Sequence, residues 1–348
     1  MRRYGPSLAL VAVGTLIGAG FASGREIFFF FVTHGTSGLL GAVVSAVLLA
    51  LATWSILEVA ARQRATSYRD LCRAFPPPLS RLAQAVVSVG LGSGLVVMVA
   101  GGAELFHQLT GGPRLAGAAT TAGLGVALAV RGPLAVIWFN RILVPVLILS
   151  VMGLSLATLA AVVPFGTRLP GAASLWPRGP GWFSAVLAYA FSNSVGLLGV
   201  LGSFGHLRTS SLGRLGGGLL TGALVGLPLV VATAAQLVVR PGLTDAPLPF
   251  YLLSIQLGSP WPTIYAISLG MALLTTAVGQ IYALGCLLSR LASVPPHLAS
   301  LLSGVLAVPL ALIGFAALVE HLYPLLGLGG LLIAYSLCLY LLQSDDGT

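Results

Sequence analysis

The chain has 348 residues and not one lysine: all 17 basic residues are arginine, set against eight acidic residues. Charged residues make up 7% of it, whereas a soluble globular domain carries about 25%. That scarcity excludes an ordinary water-soluble fold. The net charge of +9 invites a nucleic-acid reading, but the arginines are neither clustered nor interleaved with aromatic residues. They punctuate apolar stretches, so they read as topology signals and no nucleic-acid partner is expected. Cysteine is scarce too: Cys72, Cys286 and Cys338 show no CxxC or Cys/His spacing, so they read as packing residues rather than metal ligands. Enzyme signatures are missing as well. There is no GxSxG or HExxH, and "GAGFASG" is one residue off the dinucleotide fingerprint and follows no strand. Asp70, Asp245, Asp345 and Asp346 all fall outside the apolar stretches, which argues against an aspartyl intramembrane protease. Neither enzymatic activity nor an organic cofactor is expected.

What the chain has is hydrophobic length. Hydrophobic residues are 57% of it and mean hydropathy is +1.00. Apolar runs of 18 or more recur throughout, the mark of a helical, multi-pass membrane protein; a barrel would show ~10-residue alternating segments. Ten spans are expected, at 6–32, 37–61, 82–109, 114–130, 133–164, 181–206, 212–239, 261–290, 297–318 and 321–342. They form one transmembrane domain across residues 1–348, with the lipid bilayer as its first partner. A cleavable signal peptide is the competing reading of the start, but the first apolar stretch continues to Val32, too long for one. The connection 240–260 is proline-bounded yet apolar, and reads as a short lid. With the N-terminus inside, eleven loop arginines from Arg2 to Arg290 are cytoplasmic, and Arg114, Arg168, Arg178 and Arg240 are outside. The bias predicts a cytoplasmic-membrane protein with both termini cytoplasmic.

Ten spans divide into two fives of opposite topology, about 6–164 and 181–342. The first span of each half is interrupted: "GTLIGAGFASGRE" runs from Gly14 to Glu26, and "FSNSVGLLGVLG" from Phe191 to Gly202. Paired interruptions at matching positions point to a transporter's central site, because a broken helix frees backbone groups that a solute or ion can satisfy. Half-helix N-termini also offer positive dipole ends. The bland alternative is that Gly14-xxx-Gly18 and Gly20-xxx-Gly24 are small-residue packing motifs.

"GTLIGAGFASGREIFFFFVTHG" resembles the opening of the YkvI-type bacterial membrane proteins, which are similar to the amino acid–polyamine–organocation transporters of the LeuT fold. The resemblance implies an all-α fold of about ten helices in a 5+5 inverted repeat, with helices 1 and 6 unwound. It implies a substrate site at Gly18, Ala19, Gly20, Phe191, Ser192, Asn193 and Ser194. In the eighth span, "ALLTTAVGQ" matches the pattern of a shared sodium site. The implied ligands are the carbonyls of Gly14, Ile17 and Ala272 and the hydroxyls of Thr275 and Thr276. Residues 272, 275 and 276 lie on one helical face, and a hard cation takes oxygen ligands. The competing reading has both threonines bonding back to their own helix. Phe21 stands where relatives place an asparagine for a second ion, so a single sodium is implied.

The same resemblance makes Arg25 an outer-gate arginine, with Glu320 or the adjacent Glu26 as partner. Glu104, in the third span with His107 one turn on, is a proton-coupling carboxylate, a contact for a cationic solute, or a group at the aqueous mouth. The expectation overall is a secondary-active transporter of a small organic solute, an amino acid first, coupled to one sodium. The alternatives are a proton-coupled or uncoupled carrier, through Glu104 or Glu26 if protons drive it, and a non-transporting sensor or structural protein. The solute itself and the oligomeric state are not readable from the residues.

Overall fold

A computed structural model of the chain describes residues 5–131, 133–162, 181–207 and 209–345. Arg2, Arg3, Arg168, Arg178 and Arg208 lie outside the described residues. Seven helices among the described residues are long and apolar enough to cross a membrane, and three shorter apolar helices accompany them. The protein is a multi-pass membrane protein, and the ten expected spans all correspond to helical segments.

The first span is three helices rather than one: α1 (Gly5–Leu16), α2 (Ala19–Ser23) and α3 (Arg25–Phe30). Next come α4 (Ser37–Gln63), the short α5 (Tyr68–Cys72), α6 (Pro77–Thr110), α7 (Arg114–Ala129) and α8 (Pro133–Val162). The second half holds α9 (Gly181–Leu201), α10 (Ser211–Val238), α11 (Pro249–Leu257), α12 (Trp261–Ala292), α13 (Pro296–Ala311) and α14 (Phe315–Asp345). Proline sits in the first turn of α6, α11, α12 and α13, where its missing N–H has no helical acceptor to lose. The expected lid at 240–260 contains α11, whose Phe250 and Leu253 are buried.

Two boundaries move. The third span starts at Pro77, five residues earlier than expected, because a proline run suits a first turn as well as a loop. The last helix starts at Phe315, so Glu320 lies inside it rather than before it; Gly314, at φ +106°, makes the turn that hydropathy does not register.

Counterparts of the two halves pack against each other. α1 meets α9, α4 meets α10, α6 meets α12, and α7 meets α13. The crossing of α4 and α10 is made by glycine. A Cβ at Gly218 would stand 2.6 Å from the Ala50 carbonyl, and one at Gly222 2.7 Å from the Ala50 methyl. With no hydrophobic drive between helices in lipid, such close backbone approach is what holds α4 to α10. Where α14 crosses α9, Gly327 and Gly330 rest on the backbone of Ala188 and Phe191.

Candidate functional site

The break in span 1 is where the sequence places it. α1 ends at Leu16, the Ile17 amide still donates to the Val13 carbonyl at 2.8 Å, and Gly18 is extended at φ −87°, ψ −172°. The carbonyls of Gly14 to Ile17 therefore lack the N–H four residues on that a continuing helix would supply. A side chain at Gly18 would meet only the Thr15 carbonyl, at 3.9 Å, so the space beside the break is open. A second interruption follows at Gly24, whose φ of +81° belongs to the left-handed region that favours glycine. Its carbonyl accepts a hydrogen bond from Gln236 Nε2 at 3.1 Å, tying span 1 to α10.

This double turn brings Glu26 back against Gly20. Any Cβ at residue 20 would overlap the Glu26 carboxylate, and would also sit 2.9 Å from the Tyr323 hydroxyl. Glu26 is 6% exposed, and the Tyr323 hydroxyl of α14 lies beside its carboxylate at Gly20. Tyr189 of α9 stands within electrostatic reach of both. Its hydroxyl is buried and has no hydrogen-bond partner among the described residues. The Tyr189 ring is wedged against Phe30 and Phe31, with centroids 5.5 and 4.9 Å away. A carboxylate, a phenol and a glycine backbone thus meet at the broken helix, with the Tyr189 phenol electrostatically coupled to them.

Span 6 corrects the expectation of a second break: α9 is regular helix from Gly181 to Leu201. The polar run spends its side chains on its own turn. Ser192 Oγ and Asn193 Nδ2 each donate to the Tyr189 carbonyl at 3.0 Å, and Ser194 Oγ donates to the Ala190 carbonyl at 2.8 Å. Small polar residues that can bond back in this way sit in an intact helix without loss, so their presence does not predict unwinding. The backbone of Phe191 faces Gly330 of α14. A Cβ added at Gly196 would stand 3.6 Å from the Thr15 methyl, so α9 still runs alongside the break.

Of the expected sodium ligands, Gly14 and Ile17 lie at the open end of α1, and a Cβ added at Gly14 would stand 3.1 Å from Val144 of α8. Ala272 and Thr275 are buried in α12, which packs against α2 just beyond the break. The Thr275 hydroxyl donates to the Ala272 carbonyl at 3.2 Å, joining two of the proposed oxygens to each other. Thr276 is half-buried. No cluster of three histidine, cysteine, aspartate or glutamate side chains that could hold a metal occurs among the described residues.

Three further glutamates, Glu320, Glu104 and Glu58, are matched to arginines. Arg25 pairs with Glu320 of α14, not with Glu26. It also donates to the carbonyls of Thr244 and Ala246 at 3.2 and 3.0 Å, so one guanidinium ties span 1, the last helix and the lid. Glu104 is held by Arg114 Nε at 2.7 Å and by Gln108 at 3.1 Å, a link between α6 and α7. His107 Nδ1 meets the Gly112 carbonyl at 2.8 Å. Glu58 holds Arg214 at 2.7 Å and Arg62 at 3.0 Å. Sequence reasoning missed Tyr189, Tyr323 and Gln236. The available signal was that phenol and amide groups at bilayer depth need partners.

No protein-family model matches the chain. It is homologous to YkvI, an uncharacterized membrane protein of Bacillus subtilis, at 26% identity over 321 residues that cover 92% of this chain and 91% of that one. Among solved structures it resembles MhsT in complex with L-phenylalanine, with a TM-score of 0.65, 20% identity, and 96% and 88% of the two chains covered. It also resembles the inward-facing conformation of Mhp1, with a TM-score of 0.61, 16% identity, and 94% and 73% covered. The fold is that of the LeuT type.

Proposed function

We propose that the protein is a secondary-active transporter that moves a small organic solute across the cytoplasmic membrane by alternating access, with an amino acid as solute and one sodium as coupling ion. The observation that carries this reading is the break at Ile17–Gly18. It leaves backbone carbonyls unpaired at membrane depth beside an open space and a buried carboxylate. Unpaired backbone inside a bilayer is tolerated where it lines a site. The likeness to a protein crystallised with L-phenylalanine supports the choice of an amino acid.

In this reading the Gly14, Ile17 and Ala272 carbonyls and the Thr275 and Thr276 hydroxyls hold the sodium. Its arrival turns the Thr275 oxygen from its bond with Ala272 toward the ion. Proton coupling is the rival. Glu104 is already committed to Arg114, so the rival rests on Glu26 alone.

Thermal unfolding of the purified protein in sodium and in potassium, with and without each amino acid, tests the proposal. A ligand at 100 times its Kd adds about 2.7 kcal/mol. The expected result is a sodium-specific shift that one solute class enlarges and that replacement of Thr275 and Thr276 by alanine abolishes without lowering the potassium baseline. A sodium shift that survives the double replacement sinks the ion site; no shift from any condition leaves a non-transporting protein of the same fold.

A further inference from the structure

Taken with the transporter reading above, the cluster around Glu26 says what kind of solute is carried. We propose that Glu26, with the hydroxyls of Tyr189 and Tyr323, is the seat for a protonated amine on the solute.

An ionised carboxylate can accept about four hydrogen bonds. Glu26 has the Tyr323 hydroxyl beside it and no ion-pair partner among the described residues, in a position only 6% exposed. Isolated charge in such a place is costly unless it is paired. The nearest guanidinium is spent elsewhere: Arg25, the next residue, turns to Glu320 and the lid carbonyls. The other buried acids, Glu58 and Glu104, each have arginine partners. Glu26 is thus built to receive a positive charge that the protein does not supply.

Three features favour an ammonium over a bare proton. The first is the Tyr189 hydroxyl, buried, electrostatically coupled to Glu26, and without a hydrogen-bond partner among the described residues. An ammonium has three donors and can use the carboxylate, this phenol and a freed backbone carbonyl together. The second is Gly18, where an added Cβ would have only the Thr15 carbonyl oxygen within 4 Å, leaving room beside the break that a proton does not need. The third is the packed cluster of Phe30, Phe31 and Tyr189, buried aromatic surroundings in keeping with an organic cation. Gly20 completes the seat, because any side chain there would displace the carboxylate.

The test is binding rather than transport. Calorimetry on the full chain in sodium buffer uses the twenty common amino acids, then for each binder its decarboxylated amine and its deaminated acid. The expected result is that amino acids or amines bind and deaminated acids do not. Glu26→Gln should then weaken the binder by at least ~30-fold, Glu26→Asp by less, and Tyr189→Phe measurably. Both Glu26 variants must keep the unliganded melting temperature; if Glu26→Gln unfolds, Glu26→Asp and Tyr189→Phe decide. Deaminated acids binding as well as their parents, or binding indifferent to Glu26, overturns the proposal while leaving a transporter. A pH-dependent stability lost in Glu26→Gln, with no amine bound by the native protein, makes the site a proton carrier and also overturns it. Amine binding without uptake into vesicles upholds the seat and removes the transporter reading instead.

Discussion

Each buried charge in this protein has been given something to do, and Arg25 shows how. Its guanidinium joins Glu320 to two lid carbonyls while its ring neighbour Phe28 lies 5.6 Å from the cation. The bond runs across 295 residues of sequence, so it is a tertiary clasp rather than a local pair. Hydrogen bonds to a charged group are worth about 1.5–3 kcal/mol each. Arg25→Ala should therefore speed backbone hydrogen exchange in residues 240–257 by roughly tenfold to a hundredfold. Exchange that stays at the native rate would show that other contacts hold the lid. Sequence inspection found Arg25 and named Glu320 and Glu26 as its alternatives. The choice between them was not legible, since adjacency favours Glu26 and only the turn at Gly24 aims the two side chains apart.

At the level of elements, glycine has three separate uses that hydropathy treats alike. Gly24 makes a turn, Gly20 admits a carboxylate, and Gly218 and Gly222 let α10 lie on α4. A matched pair on one helix separates packing from propensity. Gly222→Leu should lower the melting temperature, at a cost of about 1–3 kcal/mol for overpacking. Gly216, whose Cβ would meet nothing within 4 Å, should accept alanine with a gain of about 0.5–1 kcal/mol. Equal effects at the two positions would contradict the packing assigned to α10. The spans themselves were legible because twenty apolar residues in a row have few other readings. The break in span 1 was legible because it is dense in glycine with charges following. The same logic failed at span 6, where Ser192, Asn193 and Ser194 satisfy themselves on their own helix. Polar composition reports a need for partners and does not say whether the partner is a solute or the preceding turn.

At the scale of the molecule, helices of the first half sit on their counterparts in the second, and the broken span lies among α9, α10, α12 and α14. That arrangement puts the Gly20 backbone, the Glu26 carboxylate and the Tyr323 phenol in one place, with the Tyr189 phenol electrostatically coupled to them. Tyr189 and Tyr323 were invisible as site residues in the sequence because their meeting depends on how α9 and α14 cross. The crossing in turn depends on two α14 glycines, Gly327 and Gly330, that read as ordinary membrane glycines. The central claim is that this assembly moves a solute. It is tested most directly by uptake of radiolabelled amino acids into proteoliposomes under an imposed inward sodium gradient. The account predicts accumulation of at least one amino acid that collapses when the gradient is dissipated and is absent from protein-free vesicles. Uptake of none of them, by protein shown to be folded and reconstituted, would contradict it.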